Sequence, residues 1–210
     1  MTVIAIEGAS AVGKSTVCRI LEAEFGFSRI PEVNELFSRG GNQTLSWYFE
    51  RQLERWQMAC AVSKAGGRAV LDGDPLQPVW YNWIFTEAGL QPISAVIEFY
   101  KQQFRSGMMQ FPEKYYLLTA TESELHRRKA ADTTRTRRNF VSHLRLIKPQ
   151  IAYFQTMNML APGRSAVLES NDPVLIARYI ANDVVISQQN DAELFDSMSR
   201  FINRNSEEFQ

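Results

Sequence analysis

Short apolar runs alternate with amphipathic stretches along the whole of this 210-residue chain. The runs are rich in β-branched residues and have the continuous apolar character of strands buried on both faces. The predicted strands are 2–7, 27–30, 68–72, 115–120 and 165–170. Apolar residues spaced three and four apart predict helices between them. The predicted helices are 14–25, about 46–65, an irregular region over 75–111, and others beginning at 122, near 140 and at 172–173.

Strands that alternate with helices favour a parallel sheet covered on both faces. We therefore predict an α/β fold, a three-layer α/β/α sandwich with a five-stranded parallel sheet, in a single domain over residues 1–210. Pro149 either kinks the helix that resumes near Phe140 or begins a new one. An apolar stripe in the tail, 194–202, either covers the chain's own sheet or serves a homodimer.

The overall composition excludes several classes of protein. Hydrophobic residues make up 45% of the chain, and Lys+Arg and Asp+Glu both number 23, so no charge imbalance indicates nucleic acid or an anionic membrane. The apolar runs are too short for a membrane span or a signal peptide. Cys18 and Cys60 have neither disulfide-framework nor metal-ligand spacing. We therefore expect a soluble, cytoplasmic protein.

A glycine-rich turn, IEGASAVGKST at 6–16, joins the first predicted strand to the first predicted helix. Its G-x-x-x-x-G-K-S pattern is that of a loop whose backbone N–H groups hold phosphates, because glycine lets the backbone approach closely and the helix adds its positive end. Lys14 should reach the β- and γ-phosphates of a triphosphate, and the Ser15 hydroxyl should bind Mg²⁺. The predicted phosphate-binding residues are Gly8, Ala9, Ser10, Ala11, Val12, Gly13, Lys14, Ser15 and Thr16.

Carboxylates follow the third strand in the stretch AVLDGD. A phosphate-bound Mg²⁺ needs a carboxylate at the end of a neighbouring strand, which predicts Asp72 as a metal ligand alongside Ser15. The alternative is that Asp72 only ends the strand beside Gly73. Asp74 is a further candidate for contact with the acceptor of the phosphoryl group.

Six basic residues and one acid occupy 127–138. A run of this kind forms either a solvated helix face, a nucleic-acid patch or a flap that closes over phosphates. We favour the flap, which we call a lid. When the lid closes, its arginines would come close to the phosphates and stabilise the negative charge of the transferring phosphoryl group. The arginines that we expect to act there are Arg128, Arg135 and Arg138.

Three stretches together resemble the thymidylate kinases and deoxynucleoside kinases. They are IEGASAVGKST, the Pro31-Glu32 pair at the end of the second strand, and LLTATESELHRRKAADTTRTRRNF at 117–140. The resemblance extends over roughly residues 1–160 and implies a P-loop kinase fold with a helical lid, with ATP and Mg²⁺ as cofactors. It also implies that Glu32 lies beside the acceptor hydroxyl, where a carboxylate can take a proton as general base. The alternative role for Glu32 is that of a helix-start carboxylate.

Tyr48, Gln52 and Arg55 line up on the 46–65 helix beside its apolar stripe. Such a triplet faces either a cleft or solvent. The resemblance implies that the glutamine and the arginine read a base edge. Among the many aromatic residues after the third strand, Trp80 and Tyr81 are best placed to stack on a flat ring.

The two histidines, His126 and His143, have no partner at ligand spacing, and we expect both to be surface residues. In the resembling families an arginine follows the strand-ending acid, whereas this chain has Asp72-Gly73-Asp74. An extra carboxylate repels a phosphorylated acceptor. This favours a neutral acceptor that carries a hydroxyl group.

The sequence therefore predicts an ATP- and Mg²⁺-dependent phosphotransferase that acts on a hydroxyl of a small molecule, most readily a nucleoside. A kinase of the same fold that modifies an antibiotic or another metabolite is the first alternative. A P-loop ATPase or a nucleotide switch is the alternative from another class. The guanine-reading N-K-x-D motif of such switches does not occur in the sequence.

Overall fold

The computed structural model describes residues 2–41, 44–86, 91–133, 140–183 and 190–206. The strands are β1 Thr2–Gly8, β2 Phe27–Ile30, β3 Arg68–Asp72, β4 Lys114–Thr119 and β5 Ser165–Glu169. The first helices are α1 Lys14–Phe25, α2 Val33–Leu36, α3 Trp47–Lys64, α4 Gln77–Ile84 and α5 Ile93–Arg105. The later helices are α6 Glu122–Ala131, α7 Phe140–Leu144, α8 Ile147–Leu160, α9 Pro173–Asn182 and α10 Asp191–Arg204.

The five strands form one parallel sheet in the order β2-β3-β1-β4-β5. The predicted fold class is therefore confirmed. Strand β1 is central, with Ile6 paired to Asp72 of β3 on one side and to Tyr116 of β4 on the other. The glycine-rich turn consequently emerges at the middle of the carboxyl edge, where parallel α/β sheets bind ligands.

Each face of the sheet is covered by its own layer of helices, because successive side chains along a strand point to opposite faces. Val3 and Ala5 of β1 pack into the cluster that includes α3, α4, α5, α8 and α10. Ile4 and Ile6 pack into the opposite cluster with α1, α6 and α9. The first cluster is the larger of the two and contains most of the aromatic residues of the core.

The tail helix α10 covers the chain's own core. Leu194, Phe195, Met198 and Ile202 are buried in the larger cluster, and Phe195 stacks on Phe104 of α5 with 4.6 Å between ring centroids. The apolar stripe of the tail is therefore buried within the chain, as the first of the two alternatives predicts.

Two details of the helices follow from local chemistry. Pro149 lies in the first turn of α8, where its missing N–H costs no helical hydrogen bond, so a new helix begins there. Asp172 caps α9 by accepting hydrogen bonds from the backbone N–H groups of Val174 and Leu175. Across the described ranges, no helix combines the length and apolar character needed to cross a membrane.

Candidate functional site

The turn between β1 and α1 has backbone angles that depend on glycine. Gly8 and Gly13 have φ of 143° and 106°. A Cβ atom on Gly8 would collide with the backbone carbonyl oxygen of Leu118 in β4, so only glycine fits there. Ala11 also adopts a positive φ, 69°, which is uncommon for alanine. The turn therefore has the tight geometry that a phosphate-binding loop requires.

Lys14 is the first residue of α1, and its side chain folds back over this loop. The ammonium donates a hydrogen bond to the carbonyl oxygen of Gly8 at 2.7 Å and lies 3.9 Å from Oε1 of Glu7. A mostly buried lysine held over a tight turn at the start of a helix is placed to meet an anion that binds there.

Arg128 of α6 holds the phosphate loop through hydrogen bonds to protein oxygens, and it does not line the cavity described below. Its guanidinium donates to the carbonyl oxygen of Val12 at 2.8 Å and to both the hydroxyl and the carbonyl oxygen of Ser170, which follows β5. Its Nε donates to Glu124, one turn earlier. Arg128 therefore ties the loop to the end of β5, and its action on a transferring phosphoryl group stays a prediction.

The other two predicted lid arginines, Arg135 and Arg138, lie outside the described residues. Helix α6 accounts for the first part of the predicted lid segment and ends at Ala131. Arg127, next to Arg128, is exposed and pairs with Glu124 at 2.7 Å, as expected for a solvated helix face.

A cavity of about 690 Å³ opens at the carboxyl edge of the sheet, beside the phosphate loop. Its volume falls within the usual range for small-molecule sites. It brings together many of the predicted site residues. Those on its wall are Gly8, Ser10, Lys14, Glu32, Tyr48, Gln52, Arg55, Asp72, Trp80 and Tyr81. The remaining described residues of that set are not part of the cavity wall. They are Ala9, Ala11, Val12, Gly13, Ser15, Thr16, Asp74 and Arg128.

The polar triplet of α3 faces the cavity, which excludes the solvent-facing alternative. Gln52 and Arg55 are each 1% exposed. The Tyr48 hydroxyl donates to Oε1 of Gln77 at 2.6 Å, and burial raises the pKa of Tyr48 to about 12. At neutral pH the Tyr48 hydroxyl is therefore protonated and able to donate.

Arg55 is held by backbone carbonyl groups from two strand ends. Its guanidinium donates to Pro31 at 2.6 Å, Asp72 at 2.7 Å and Gly73 at 3.2 Å. It also donates to Oε1 of Gln52. Most of the N–H groups of Arg55 are used in this way, so that it orients Gln52 and joins the ends of β2 and β3.

Asp72 lies on the cavity wall and forms an ion pair that the sequence did not indicate. Its Oδ2 accepts from Nη2 of Arg29 at 2.8 Å, and Arg29 also holds Glu35 at 2.6 Å. Its Oδ1 is buried and has no hydrogen-bond partner in the described part of the chain.

Only one of the two carboxylate oxygens of Asp72 is placed to bind a metal ion. The Oδ1 atom leaves a carboxylate oxygen for Mg²⁺, while Oδ2 is taken by Arg29. After burial, the charge of Asp72 is the next largest cause of the raised pKa of the Cys18 thiol, one turn beyond Ser15. The pairing of Asp72 with Ser15 at one Mg²⁺ stays a prediction.

Glu7 is a site residue that the sequence reasoning missed. It is 2% exposed, lies on the cavity wall, and accepts hydrogen bonds from the backbone N–H groups of Gly8 and Asp74, both at 2.8 Å. Burial raises the pKa of Glu7, and the charge of Lys14 opposes that rise. The available signal was a carboxylate ending an apolar strand directly before the glycine loop.

Glu32 stands at the N-terminal boundary of α2 and also lines the cavity. Its side chain makes no capping hydrogen bond to that helix. The Cγ atom of Glu32 and Oε2 of Glu7 both lie within 4 Å of the position that a Cβ on Gly73 would take. Gly73 thus leaves room for two carboxylates at the base of the cavity.

The structure places Asp74 in the core and not on the cavity wall, where its predicted contact with an acceptor would require it to be. It is 0% exposed, and it accepts hydrogen bonds from the Leu76 N–H at 2.8 Å, the Trp80 indole at 2.8 Å and the Tyr115 hydroxyl at 3.1 Å. The left-handed turn at Gly73, φ 89°, carries the chain inward at this point. Asp74 therefore anchors the start of α4.

We predict that Asp74 makes stability fall as the pH rises. Burial raises the pKa of Asp74 from 3.8 to about 7. Between these values the folded chain binds a proton that the unfolded chain has released. The free energy of unfolding then decreases with pH, by at most about 1.4 kcal/mol per pH unit. Urea unfolding of wild type and Asp74→Asn from pH 4.5 to 7.5 measures the difference in slope.

The Asn variant should lose this component of the slope, whatever its stability at any single pH. Glu24→Gln, at an exposed carboxylate of α1, is the control and should keep the wild-type slope. Parallel curves for wild type and Asp74→Asn would show that Asp74 has an ordinary pKa.

One part of the cavity wall is formed by Trp80, Tyr81 and His143, and we call it the aromatic wall. The sequence predicted His143 to lie on the surface. Trp80 is 1% exposed and Tyr81 is half-buried. His143 of α7 lies beside Tyr81, with 3.5 Å between Nε2 and the hydroxyl, and also lines the cavity. Burial and then the charge of Lys14 lower the pKa of His143 to about 4, so it is neutral at pH 7. His126 is exposed, as predicted.

The fold of the chain is similar to that of solved structures of deoxyadenosine kinase from M. mycoides. One, with bound dATP, is 15% identical with a TM-score of 0.57, covering 87% of this chain and 100% of that chain. Another, with the products dCMP and a flexible dCDP bound, is 13% identical with a TM-score of 0.53, covering 86% and 97%. No family model and no curated protein sequence matches the chain. The likeness shows a deoxynucleoside-kinase-like P-loop fold, in agreement with the sequence resemblance.

Proposed function

We propose that the protein transfers the γ-phosphoryl group of ATP, with Mg²⁺, to a hydroxyl group of a neutral nucleoside or a closely similar metabolite. One observation carries the proposal. A single cavity of about 690 Å³ is lined by Lys14 of the phosphate loop, by Glu32 and by the face of α3 that includes Gln52. A phosphoryl donor, a proton acceptor and a flat polar guest can therefore meet in one space.

Charge neutralisation falls to the loop and its lysine. The loop N–H groups and the start of α1 would hold the phosphates, and Lys14 would exchange its bond to the Gly8 carbonyl for phosphate oxygens. Mg²⁺, when bound, neutralises charge on the β- and γ-phosphates, and Asp72 and Ser15 are the residues that would hold it. Arg128 keeps the loop in position through Val12.

The acceptor hydroxyl would lie against Glu32. The Glu32 side chain lines the cavity and is not used as a helix cap, so it is placed to take the proton as the phosphoryl group is transferred. The α3 triplet and the aromatic wall with Trp80 would enclose the flat part of the guest.

The lining charges favour a neutral acceptor. Glu7, Glu32 and Asp72 contribute carboxylates to the wall, Lys14 and Arg39 contribute cations, and Arg55 spends its donors on protein oxygens. Lys14 is assigned to the phosphates of the donor, and Arg39 is exposed and lies over the Trp47 ring, 5.8 Å from its centroid, so neither is committed to a phosphate on the acceptor. A nucleoside monophosphate would bring more negative charge into this space. From the sequence, we expected Asp74 to repel a phosphorylated acceptor. In the structure, the carboxylates of the cavity wall would have that effect instead.

An ADP-release assay with Mg-ATP and a panel of acceptors tests the proposal. We expect turnover that depends on a nucleoside, with nucleoside monophosphates at least about tenfold poorer, since one misplaced charge or hydrogen bond costs about 1.4 kcal/mol or more. Turnover only with aminoglycosides or polyols would indicate a metabolite-modifying kinase. Acceptor-independent hydrolysis would indicate an ATPase, and tight guanine-nucleotide binding without turnover a switch; each of these outcomes contradicts the nucleoside proposal.

A further inference from the structure

The amide groups on the cavity wall are oriented by a guanidinium that can only donate hydrogen bonds. Arg55 is anchored by the carbonyl oxygens of Pro31, Asp72 and Gly73, which come from the ends of β2 and β3. Its Nη1 meets the side-chain amide of Gln52. Because a guanidinium has no acceptor, the atom of Gln52 that faces it must be the oxygen.

The orientation of Gln52 sets that of Gln77, the first residue of α4. With its oxygen towards Arg55, Gln52 turns its NH₂ group towards Gln77, 3.4 Å from Oε1. The Tyr48 hydroxyl donates to the same Oε1 at 2.6 Å. Two donors therefore converge on the oxygen of Gln77, so its nitrogen must point away from them.

The Gln77 side chain lines the cavity, and its amide nitrogen makes no hydrogen bond within the described ranges. An amide nitrogen has two N–H donors and no acceptor. The wall therefore presents donors to a guest at this point, in an orientation that is fixed from Arg55 through Gln52.

We propose that Gln77 determines specificity, and that its amide selects a base with an exocyclic carbonyl group over the same base with an amino group. This rests on the proposed nucleoside acceptor. A carbonyl oxygen accepts from the Gln77 N–H, whereas an amino group would place donor against donor and leave both unpaired. The sequence predicted Gln52 and Arg55 as the base readers; the hydrogen-bond chain makes Gln77 the reader and the other two its positioning residues.

Calorimetric binding to the full chain tests this without relying on turnover. The ligands are two pairs, 2′-deoxyinosine with 2′-deoxyadenosine and 2′-deoxyuridine with 2′-deoxycytidine, each differing in an oxo or amino group and the ring proton coupled to it. We expect the oxo member of at least one pair to bind wild type about tenfold more tightly. Gln77→Glu replaces the donor by an acceptor and should reverse that ratio. Gln57→Glu, on the exposed face of α3, makes the same charge change and should leave it unaltered.

The ratio within a pair is the readout because the added charge of Gln77→Glu affects both members alike. Gln77→Met, which keeps the approximate shape without the amide, should bring the ratio close to one. Wild type that binds both members of each pair equally, or a ratio that Gln77→Glu does not change, overturns the specificity role while the nucleoside proposal stands. Absence of binding by all four nucleosides, with Mg-ATP still bound, overturns the nucleoside proposal together with it.

Discussion

Replacing Lys14 by alanine should lower acceptor-dependent ADP release by about a thousandfold, the cost of losing a preorganised charge at a transferring group. The side chain is mostly buried over the loop, 2.7 Å from the Gly8 carbonyl oxygen. Arg128, a second cation that contacts the loop, is bonded to Val12 and Ser170 and does not line the cavity. Steady-state rates at saturating Mg-ATP and acceptor measure the loss.

The fold should survive this change because, among the described residues, the ammonium has one hydrogen bond, to Gly8, and one ion pair, with Glu7. Far-ultraviolet circular dichroism should therefore match wild type. Lys148→Ala, at an exposed lysine of α8, removes the same charge and should keep the wild-type rate. A Lys14→Ala variant within tenfold of wild type would show that the loop does not serve phosphoryl transfer.

Replacing Glu32 by glutamine should slow the chemical step by about a hundredfold to ten-thousandfold, the range typical for a positioned general base. The amide keeps the size of the side chain but cannot take the proton of an acceptor hydroxyl. Glu32 lies on the cavity wall, on the side of Gly73 that also receives Glu7. Single-turnover phosphoryl transfer with preformed complex measures this step.

Binding of Mg-ATP should change less than about threefold, because Glu32 belongs to the acceptor side. Glu24→Gln, at an exposed carboxylate of α1, is the control and should transfer at the wild-type rate. An unchanged single-turnover rate in Glu32→Gln would remove Glu32 as the base. A loss confined to ATP affinity would place it on the donor side instead.

These two residues differ in how much local sequence says about them. Lys14 occupies a defined place in a short motif, so its position over the loop follows from the chain within six residues of it. Glu32 depends on β2 ending beside β3, which brings it against Gly73, 41 positions along the chain. Glu32 and Gly73 are neighbours only because β2 lies next to β3 in the sheet.

The aspartates after β3 illustrate the same limit. Asp72 and Asp74 look equivalent in the stretch AVLDGD, yet the turn at Gly73 sends them to different partners. Asp72 meets Arg29 from β2, and Asp74 meets Trp80 and Tyr115 in the core. None of these contacts has a periodic signature in the sequence.

The sequence by itself determined the elements of the fold and the phosphate loop. Continuous apolar runs, helical stripes and glycine positions are local properties, and each depends on residues a few places apart. Only the tertiary structure decided that Arg128 braces the loop, that His143 lines the cavity and that Gln77 faces it. The direction of a polar side chain depends on which distant donors and acceptors packing brings beside it, and these partners come from separate strands and helices.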